Sequence, residues 1–311
     1  MAKKTKPKHK RTETYSTHKN AMEFYVREES ATYDAHKPFT VYYDNPEHSV
    51  KLLKGDCIEI LNQARENSVD MIFADPPYFL SNGGISCQSG KMVSVNKGAW
   101  DKSKGVEETH QFNIDWLKAC QRVLKPDGAI WISGTAHIIH SIGYAMQKLK
   151  FKLLNDIVWF KVNPAPNLAC RYFTHSTETI IWAAKSLDSK HVFNYGDMKA
   201  VSGKQMKNVW QDLFWSITPP RNGEKKFGKH PTQKPVKLLT RIIQASTKEG
   251  DLILDPFCGS STTGIAALLS NRKYIGIDKE EEYLNLSVKR LKDVIAEKYS
   301  NIFSYKKIAM L

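Results

Sequence analysis

From Val50 onward, short apolar runs alternate with stretches in which apolar residues recur every three or four positions. The runs predict strands at 50–53, 69–74, 129–133, 153–162, 179–184, 252–254 and 274–277. The periodic stretches predict helices at 58–64, 108–124, 137–149, 236–246, 262–269 and from 281. Such alternation is typical of an α/β fold, in which a mostly parallel sheet is covered by helices on both faces.

Two segments depart from this pattern. Residues 81–105 are rich in Gly, Ser and Lys, are too polar for a core, and predict a flap. Between residues 186 and 229 the periodicity fades, basic residues outnumber acidic ones by eight to four, and aromatic residues such as Trp210 are interspersed. Cations can meet phosphates and rings can stack on bases, so this segment predicts a nucleic-acid-recognition insertion. An ordinary insertion with a small core of its own is the alternative.

The charge balance adds a partner class. The 311 residues include 46 Lys and Arg against 32 Asp and Glu, a net charge of +14. Seven of the basic residues fall within the first twenty positions, where Glu13 is the only acid. We expect a flexible basic arm at the N-terminus, either a solubilising tail or a contact to a nucleic-acid backbone. The overall excess favours a polyanion, either nucleic acid or an acidic membrane surface.

Several classes of protein are excluded. No apolar run approaches the length of a membrane-spanning helix, and the basic N-terminus is not followed by the apolar stretch of a signal peptide. The five cysteines are scattered without a Cys-x-x-Cys pair, so we expect neither a metal site nor disulfides. A cytoplasmic protein fits these features.

A glycine turn joins the predicted strand at 252–254 to the helix at 262–269, which is the context of a nucleotide-binding loop. Asp255 stands where a pyrophosphate would approach, and the lysine of a phosphate-binding loop is missing because Ile265 follows Gly264. Asp278 ends the next strand, where an acid can chelate a ribose diol. An adenosine cofactor with positive charge and no phosphate is therefore favoured, and S-adenosylmethionine matches; a purely structural turn is the alternative.

A second motif closes the apolar run at 69–74. Asp75, Pro76, Pro77 and Tyr78 follow it directly, and the prolines fix the backbone so that the carboxylate and the ring point out of the sheet edge. A carboxylate and a backbone carbonyl together can accept both hydrogens of an exocyclic amine, and the ring offers a stacking face for a planar base. Alone, the motif could also be a turn that ends a strand.

The chain resembles the β-class S-adenosylmethionine-dependent amino DNA methyltransferases, the N4/N6 family of restriction–modification systems. The resemblance covers about Val50 to Leu291. It rests on three motifs in the order of that class: Asp75-Pro-Pro-Tyr78, His230-Pro-Thr-Gln-Lys-Pro235 and Asp255-Pro-Phe-Cys-Gly-Ser-Ser-Thr-Thr263. The blocks at 73–84, 163–167 and 171–178 are similar to those of adenine methylases that modify GATC sites.

The resemblance implies a Rossmann-like methyltransferase fold with a target-recognition insertion. We expect an arm at 1–45, a catalytic half at 46–185, the recognition region at 186–229, a cofactor-binding half at 230–298 and a tail at 299–311. Asp75 and the Pro76 carbonyl would orient the target amine, and Tyr78 would stack on the base. The expected cofactor-binding residues are Asp56, His230, Thr232, Lys234, Asp255, Phe257, Gly259, Ser261, Thr262 and Asp278. The expected substrate-binding residues are Phe79, Asn163, Arg171, Lys204, Lys207 and Arg221.

The implied activity is methylation of adenine N6 in a short DNA site, with a flipped-out base and no cysteine nucleophile. Cytosine N4 or RNA as the target, a nicotinamide oxidoreductase and a non-catalytic methylase-like binding protein are the alternatives. The expected partners are double-stranded DNA, with single-stranded DNA left open, and a cognate restriction endonuclease, with no membrane; a homodimer is also left open. One departure is Ser261, where the family usually has Gly: a left-handed backbone there would cost serine around 1 kcal/mol.

Overall fold

The computed structural model describes residues 39–79, 85–88, 91–94, 101–102, 105–162, 164, 166–168, 170–211, 224–228 and 230–308. The strands in these residues are β1 (Phe39–Asn45), β2 (Val50–Gly55), β3 (Val69–Ala74), β4 (Ile85–Gln88), β5 (Lys91–Ser94), β6 (Leu124–Gly134), β7 (Lys152–Phe160), β8 (Thr177–Ala184), β9 (Val209–Trp210), β10 (Leu252–Asp255) and β11 (Lys273–Asp278). The helices are α1 (Cys57–Gln63), α2 (Val106–Val123), α3 (Ala136–Lys148), α4 (Tyr195–Ser202), α5 (Val236–Ser246), α6 (Thr262–Leu269) and α7 (Glu281–Ile308).

Nine of these strands form one sheet in the order β1-β2-β11-β10-β3-β6-β8-β7-β9. The five central strands, β2, β11, β10, β3 and β6, are parallel to one another. Strand β1 pairs antiparallel with β2, β8 pairs antiparallel with β6 and β7, and β9 pairs parallel with β7. The predicted α/β class with a mostly parallel sheet is confirmed. Because the central strands are parallel, β2, β3, β6, β10 and β11 all end at the same edge, which is where open α/β sheets bind ligands.

Each face of the sheet carries a hydrophobic core. Helices α1, α2 and α3 pack on one face, and α5, α6 and α7 pack on the other. Strand β3 lies between them: Ile72 and Ala74 belong to the first core, and Met71 and Phe73 to the second. Both of its faces are covered, which explains why residues 71–74 are all apolar without alternation.

Two boundaries and the role of one aromatic residue differ from the prediction. Strand β1 lies inside the range predicted as a flexible arm, because its backbone pairs with β2. Helix α7 continues to Ile308, beyond the predicted end of the cofactor-binding half. In the predicted recognition region, Trp210 is a core residue that packs beside Trp131, so this ring is not available for stacking on bases. Residues 1–38 of the arm and much of the predicted flap lie outside the described residues. Within the described part of the flap, β4 and β5 pair antiparallel.

None of the helices in the described ranges is both long and apolar enough to cross a bilayer.

Candidate active site

A cavity of about 370 Å³ opens at the edge where the parallel strands end. This volume lies within the usual range of small-molecule sites. Its walls come from the loops after β2, β3, β10 and β11 and from the segment before α5. It brings together most of the residues predicted from the sequence: Asp56, Asp75, Pro76, Tyr78, Phe79, His230, Thr232, Lys234, Asp255, Phe257, Gly259, Thr262 and Asp278.

Asp75 follows β3 directly, and three side chains donate hydrogen bonds to its carboxylate. Its Oδ1 accepts from the Tyr78 hydroxyl at 2.7 Å and from the Ser133 hydroxyl at 2.5 Å. Its Oδ2 accepts from the Lys234 ammonium at 2.6 Å. Ser133 lies near the end of β6, the strand next to β3, and Lys234 lies just before α5. The carboxylate is therefore held by three separate segments of the chain.

The charges at this site stabilise one another. Burial by itself raises the pKa of Asp75, but the Lys234 ammonium and the hydrogen bonds from Ser133 and Tyr78 outweigh burial, so this pKa is lowered. Burial lowers the pKa of Lys234, and the carboxylates of Asp75 and Glu178 outweigh it and raise this pKa. Burial and the adjacent Asp75 raise the pKa of Tyr78 well above its usual value. Asp75 is thus ionised, Lys234 is protonated and Tyr78 is a neutral donor.

The loop that carries Asp75 is fixed by a residue that the sequence analysis missed. Asp101, fully buried, accepts hydrogen bonds from the backbone N–H groups of Tyr78 at 3.0 Å and Phe79 at 2.7 Å. Phe79 has a φ of +54°, a left-handed conformation that costs a bulky residue free energy and persists only where its surroundings hold it. The Phe79 ring lines the cavity and packs edge-on against Phe112.

The second acid, Asp255, ends β10 and has a different environment. Its Oδ1 accepts from the Phe257 N–H at 3.1 Å, and its Oδ2 accepts from the Thr263 hydroxyl at 2.5 Å. Burial raises the pKa of Asp255 to about 7, because these two neutral donors only partly offset the loss of water. Phe257 packs against Trp116 and lines the cavity next to Asp255.

The glycine turn after β10 brings the backbone close to the third acid. Asp278 accepts from the Gly259 N–H at 2.8 Å and from the Glu280 N–H at 2.9 Å. Gly259 has a φ of +49°, and a Cβ at this position would lie 2.9 Å from His230 Nε2. Only glycine meets both constraints without displacing His230. Burial raises the pKa of Asp278 to about 6.

Asp56, one of the expected cofactor-binding residues, is engaged on both of its oxygens. Its Oδ1 caps α1 by accepting from the N–H groups of Ile58 and Glu59, and its Oδ2 pairs with Lys279 at 2.5 Å. Burial by itself raises the pKa of Asp56, but Lys279 and these N–H donors outweigh it and lower the pKa. Asp56 lines the cavity together with Lys279, whose role the sequence analysis did not anticipate.

The donor set of the cavity fits S-adenosylmethionine. Asp255 and Asp278 are carboxylates with raised pKa values that form no ion pair within the part of the chain the structure describes. A cationic ligand would supply the missing charge, and a phosphate would be repelled. Asp278 at the end of β11 can accept from a ribose diol, and Gly259 allows the close backbone approach that an adenosine cofactor needs.

Other predicted site residues lie elsewhere. Ser261 is fully buried behind the cavity wall, where it forms a hydrogen bond of 3.2 Å with the Tyr274 hydroxyl, so it does not face a ligand. Its φ of +53° is the left-handed conformation in which glycine would be favoured. Arg171, Lys204 and Lys207 are exposed and do not line the cavity. Asn163 and Arg221 lie outside the described residues.

Lys234 was predicted to border the cofactor, and the structure places its ammonium on Asp75 instead. Ser133 and Glu178, which the sequence analysis did not single out, complete that cluster. One signal could have found Ser133: it ends the predicted strand at 129–133, and parallel strands end at one edge of the sheet. Glu178 and Asp101 carry no such signal, since neither follows a predicted parallel strand.

The comparisons with known proteins agree with this geometry. The profile of a family described as DNA methylase matches residues 69–289. The type II methyltransferase M2.DpnII of Streptococcus pneumoniae is 55% identical over 252 residues, which cover 80% of this chain and 91% of that protein. The type II methyltransferase M2.MboI of Moraxella bovis is 47% identical over 254 residues, which cover 81% and 91%.

Among solved structures, the complex of M1.HpyAVI with S-adenosylmethionine superposes with a TM-score of 0.54 at 26% identity, covering 78% of this chain and 99% of that one. The cytosine-N4-specific PvuII DNA methyltransferase superposes with a TM-score of 0.58 at 22% identity, covering 79% and 91%, which shows a shared fold. The chain therefore belongs to the DNA methylase family, as a methyltransferase that transfers the methyl group of S-adenosylmethionine to an amino group of DNA.

Proposed function

We propose that the protein methylates the N6 amine of a flipped-out adenine, with Asp75, the Pro76 carbonyl and Tyr78 as its catalytic residues. The observation that carries this proposal is the ionised Asp75 carboxylate on the wall of the cavity that also contains Asp255 and Asp278. An acceptor for the amine and acids for a cationic methyl donor thus share one cavity.

The adenine N6 amine has to be activated before it can accept a methyl group. Its lone pair is delocalised into the purine ring, so the free base is a weak nucleophile. Asp75 and the Pro76 carbonyl would accept its two hydrogens and favour a tetrahedral nitrogen whose lone pair is exposed. S-adenosylmethionine, when bound, supplies a methyl group on a cationic sulfur that leaves as a neutral thioether. Asp75 and Pro76 would hold the N–H groups of the methylated nitrogen until one proton is lost to water.

The depth of the acceptor requires base flipping. Asp75 lies at the edge of the sheet with its side chain only 13% exposed, so an adenine stacked in a duplex cannot reach it. Extrusion of the base costs a few kcal/mol, roughly what stacking on an aromatic side chain returns. Tyr78 and Phe79 both line the cavity and offer such faces.

We further propose a GATC target in double-stranded DNA and a cognate restriction endonuclease as functional partner, in the cytoplasm of a bacterial cell. The residue blocks at 73–84 and 171–178, which resemble those of GATC modification enzymes, support the target. The type II relatives in bacteria support the pairing. The net charge of +14 suits a polyanionic substrate. Arg171, Lys204 and Lys207 are proposed to contact DNA outside the cavity.

The test is expression in cells that lack DNA methylation, followed by single-molecule sequencing of the genome. We expect N6-methyladenine in every GATC site, and the Asp75→Ala variant should leave the sites unmodified while it still binds S-adenosylmethionine. Asp70→Asn is a matched control, because Asp70 lies near the start of the same strand, at the opposite edge of the sheet. N4-methylcytosine, or appreciable methylation by Asp75→Ala, would overturn the assignment.

A further inference from the structure

A line of four alternating charges runs through the catalytic end of the sheet. The Lys234 ammonium lies 2.6 Å from Asp75 Oδ2 and 3.7 Å from Glu178 Oε2. Lys161 pairs with the other oxygen of Glu178, Oε1. The side chains of Lys234 and Glu178 are each only 8% exposed. Glu178 Oε2 is a buried oxygen with no hydrogen-bond partner among the described residues.

This arrangement leaves Asp75 with one open acceptor position, on Oδ2. Oδ1 already accepts from Tyr78 and Ser133, and Oδ2 accepts from Lys234. A substrate amine is a neutral donor, and an ammonium bond to a carboxylate is stronger than a neutral one. The amine must therefore share Oδ2 with the Lys234 ammonium, which is the stronger donor. Lys234 is also the charge that lowers the pKa of the buried Asp75, so the ammonium must stay close to the carboxylate.

We propose that Glu178 is a positioning residue that receives the Lys234 ammonium when the target amine reaches Asp75. The inference rests on the proposed function, because that function has the target amine donate a hydrogen bond to Asp75. Lys234 needs to move by only about 1 Å to form a normal hydrogen bond with Oε2, and its flexible stem permits that shift. The ammonium stays paired throughout, so no charge is left buried alone.

The fold holds Glu178 ready for this exchange. Glu178 lies in β8, whose next residues, Thr179 and Ile180, pair with Gly134 and Ser133 of β6. It therefore starts its strand at the edge where the parallel strands end. Lys161, one residue after β7, holds Oε1 and leaves Oε2 directed at Lys234. Asp75 thus binds the Lys234 ammonium before the amine arrives, and Glu178 binds it afterwards.

The test compares kcat and KM for a GATC duplex in wild-type, Glu178→Gln, Lys234→Met and double-variant proteins. We expect Glu178→Gln to lower kcat by roughly tenfold or more, with affinity for S-adenosylmethionine within about twofold of wild type. In the Lys234→Met background the same substitution should change kcat by less than about twofold, since Glu178 acts only through Lys234. Glu66→Gln, an exposed carboxylate paired with Arg122, is the control with unchanged kcat.

Equal losses from Glu178→Gln in both backgrounds would overturn the inference, as would an unchanged kcat in the single variant. If Glu178→Gln does not fold, as judged by thermal unfolding, Glu178→Asp keeps the charge with a shorter reach. That variant should have a kcat between those expected for wild type and Glu178→Gln, and a wild-type kcat would contradict the role. A failure of the proposed function is distinguishable, because it would leave Asp75→Ala active.

Discussion

Two acids on neighbouring strands, Asp75 after β3 and Asp255 at the end of β10, meet the same cavity with opposite electrostatics. Both are largely removed from water, so burial raises the pKa of each. Asp75 receives an ammonium and two hydroxyl donors, and its pKa is lowered. Asp255 receives one hydroxyl and one backbone N–H, and its pKa rises to about 7. The cation, more than the number of donors, decides the difference.

The charge on Asp75 is balanced by the chain itself, whereas the charge on Asp255 has no such partner among the described residues. Lys234 supplies the positive charge that keeps Asp75, the proposed catalytic acid, ionised in the protein alone. No described lysine or arginine does the same for Asp255, and a cationic cofactor would. The loop after β3 thus has its charges balanced within the chain, whereas the proposed cofactor loop after β10 lacks a cation among the described residues.

The largest expected effect concerns Asp255. In Asp255→Asn the cofactor loses its anionic partner, and affinity for S-adenosylmethionine should fall by about tenfold to a hundredfold, as for the loss of a hydrogen bond to a charged group. Titration calorimetry measures this change. Asp70→Asn, which removes a carboxylate at the opposite end of β3, should leave the affinity unchanged. An affinity within twofold of wild type in Asp255→Asn would mean that this acid does not interact with the cofactor.

A smaller expected effect concerns how the stability of the folded protein depends on pH. The pKa of Asp255 is about 7 in the folded state and near 3.8 in a free chain, so the unfolded state ionises first as pH rises. Stability of the cofactor-free protein should therefore fall between about pH 4 and pH 7, and Asp278, with a pKa of about 6, adds to the fall. The stability that Asp75 contributes is present above its unfolded pKa and is lost only as pH falls through the lowered folded value.

Urea unfolding at several pH values checks this expectation. Asp255→Asn should flatten the decline, whereas Asp75→Asn should shift the curve without changing its slope in that range. An equal flattening by both variants would contradict the difference between the two acids.

The smallest effect concerns the backbone of the cofactor loop. Ser261 holds a left-handed conformation and a hydrogen bond to Tyr274. Ser261→Gly relieves the strain and loses the bond, so its unfolding free energy should lie within about 1 kcal/mol of wild type. Ser261→Ala loses the bond and keeps the strain, and should be less stable than Ser261→Gly by about 1 to 2 kcal/mol. Equal stabilities of the two variants would show that the strain is absent.

The pattern of apolar residues along the sequence predicted most of the helices and strands. Helix α5 at 236–246 and helix α6 at 262–269 have their predicted bounds. A strong apolar periodicity marks α5, whereas α6 is nearly all buried and follows the glycine turn directly. The two motif loops were also found, since prolines and glycines mark them. Strand β1 was missed because its burial is partial and its pairing with β2 compensates for a weak pattern. Trp210 was misread because composition does not say which way a ring faces.

The sequence by itself determined which residue types end the parallel strands, and with them the two acids and the class of chemistry. Only the tertiary structure decided what each acid touches. Asp75 and Lys234 are 159 positions apart, and Glu178 belongs to a strand that runs opposite to its neighbours. Such contacts follow from how the sheet orders its strands. A pKa depends on charges within a few ångströms, and distance along the chain does not reveal them.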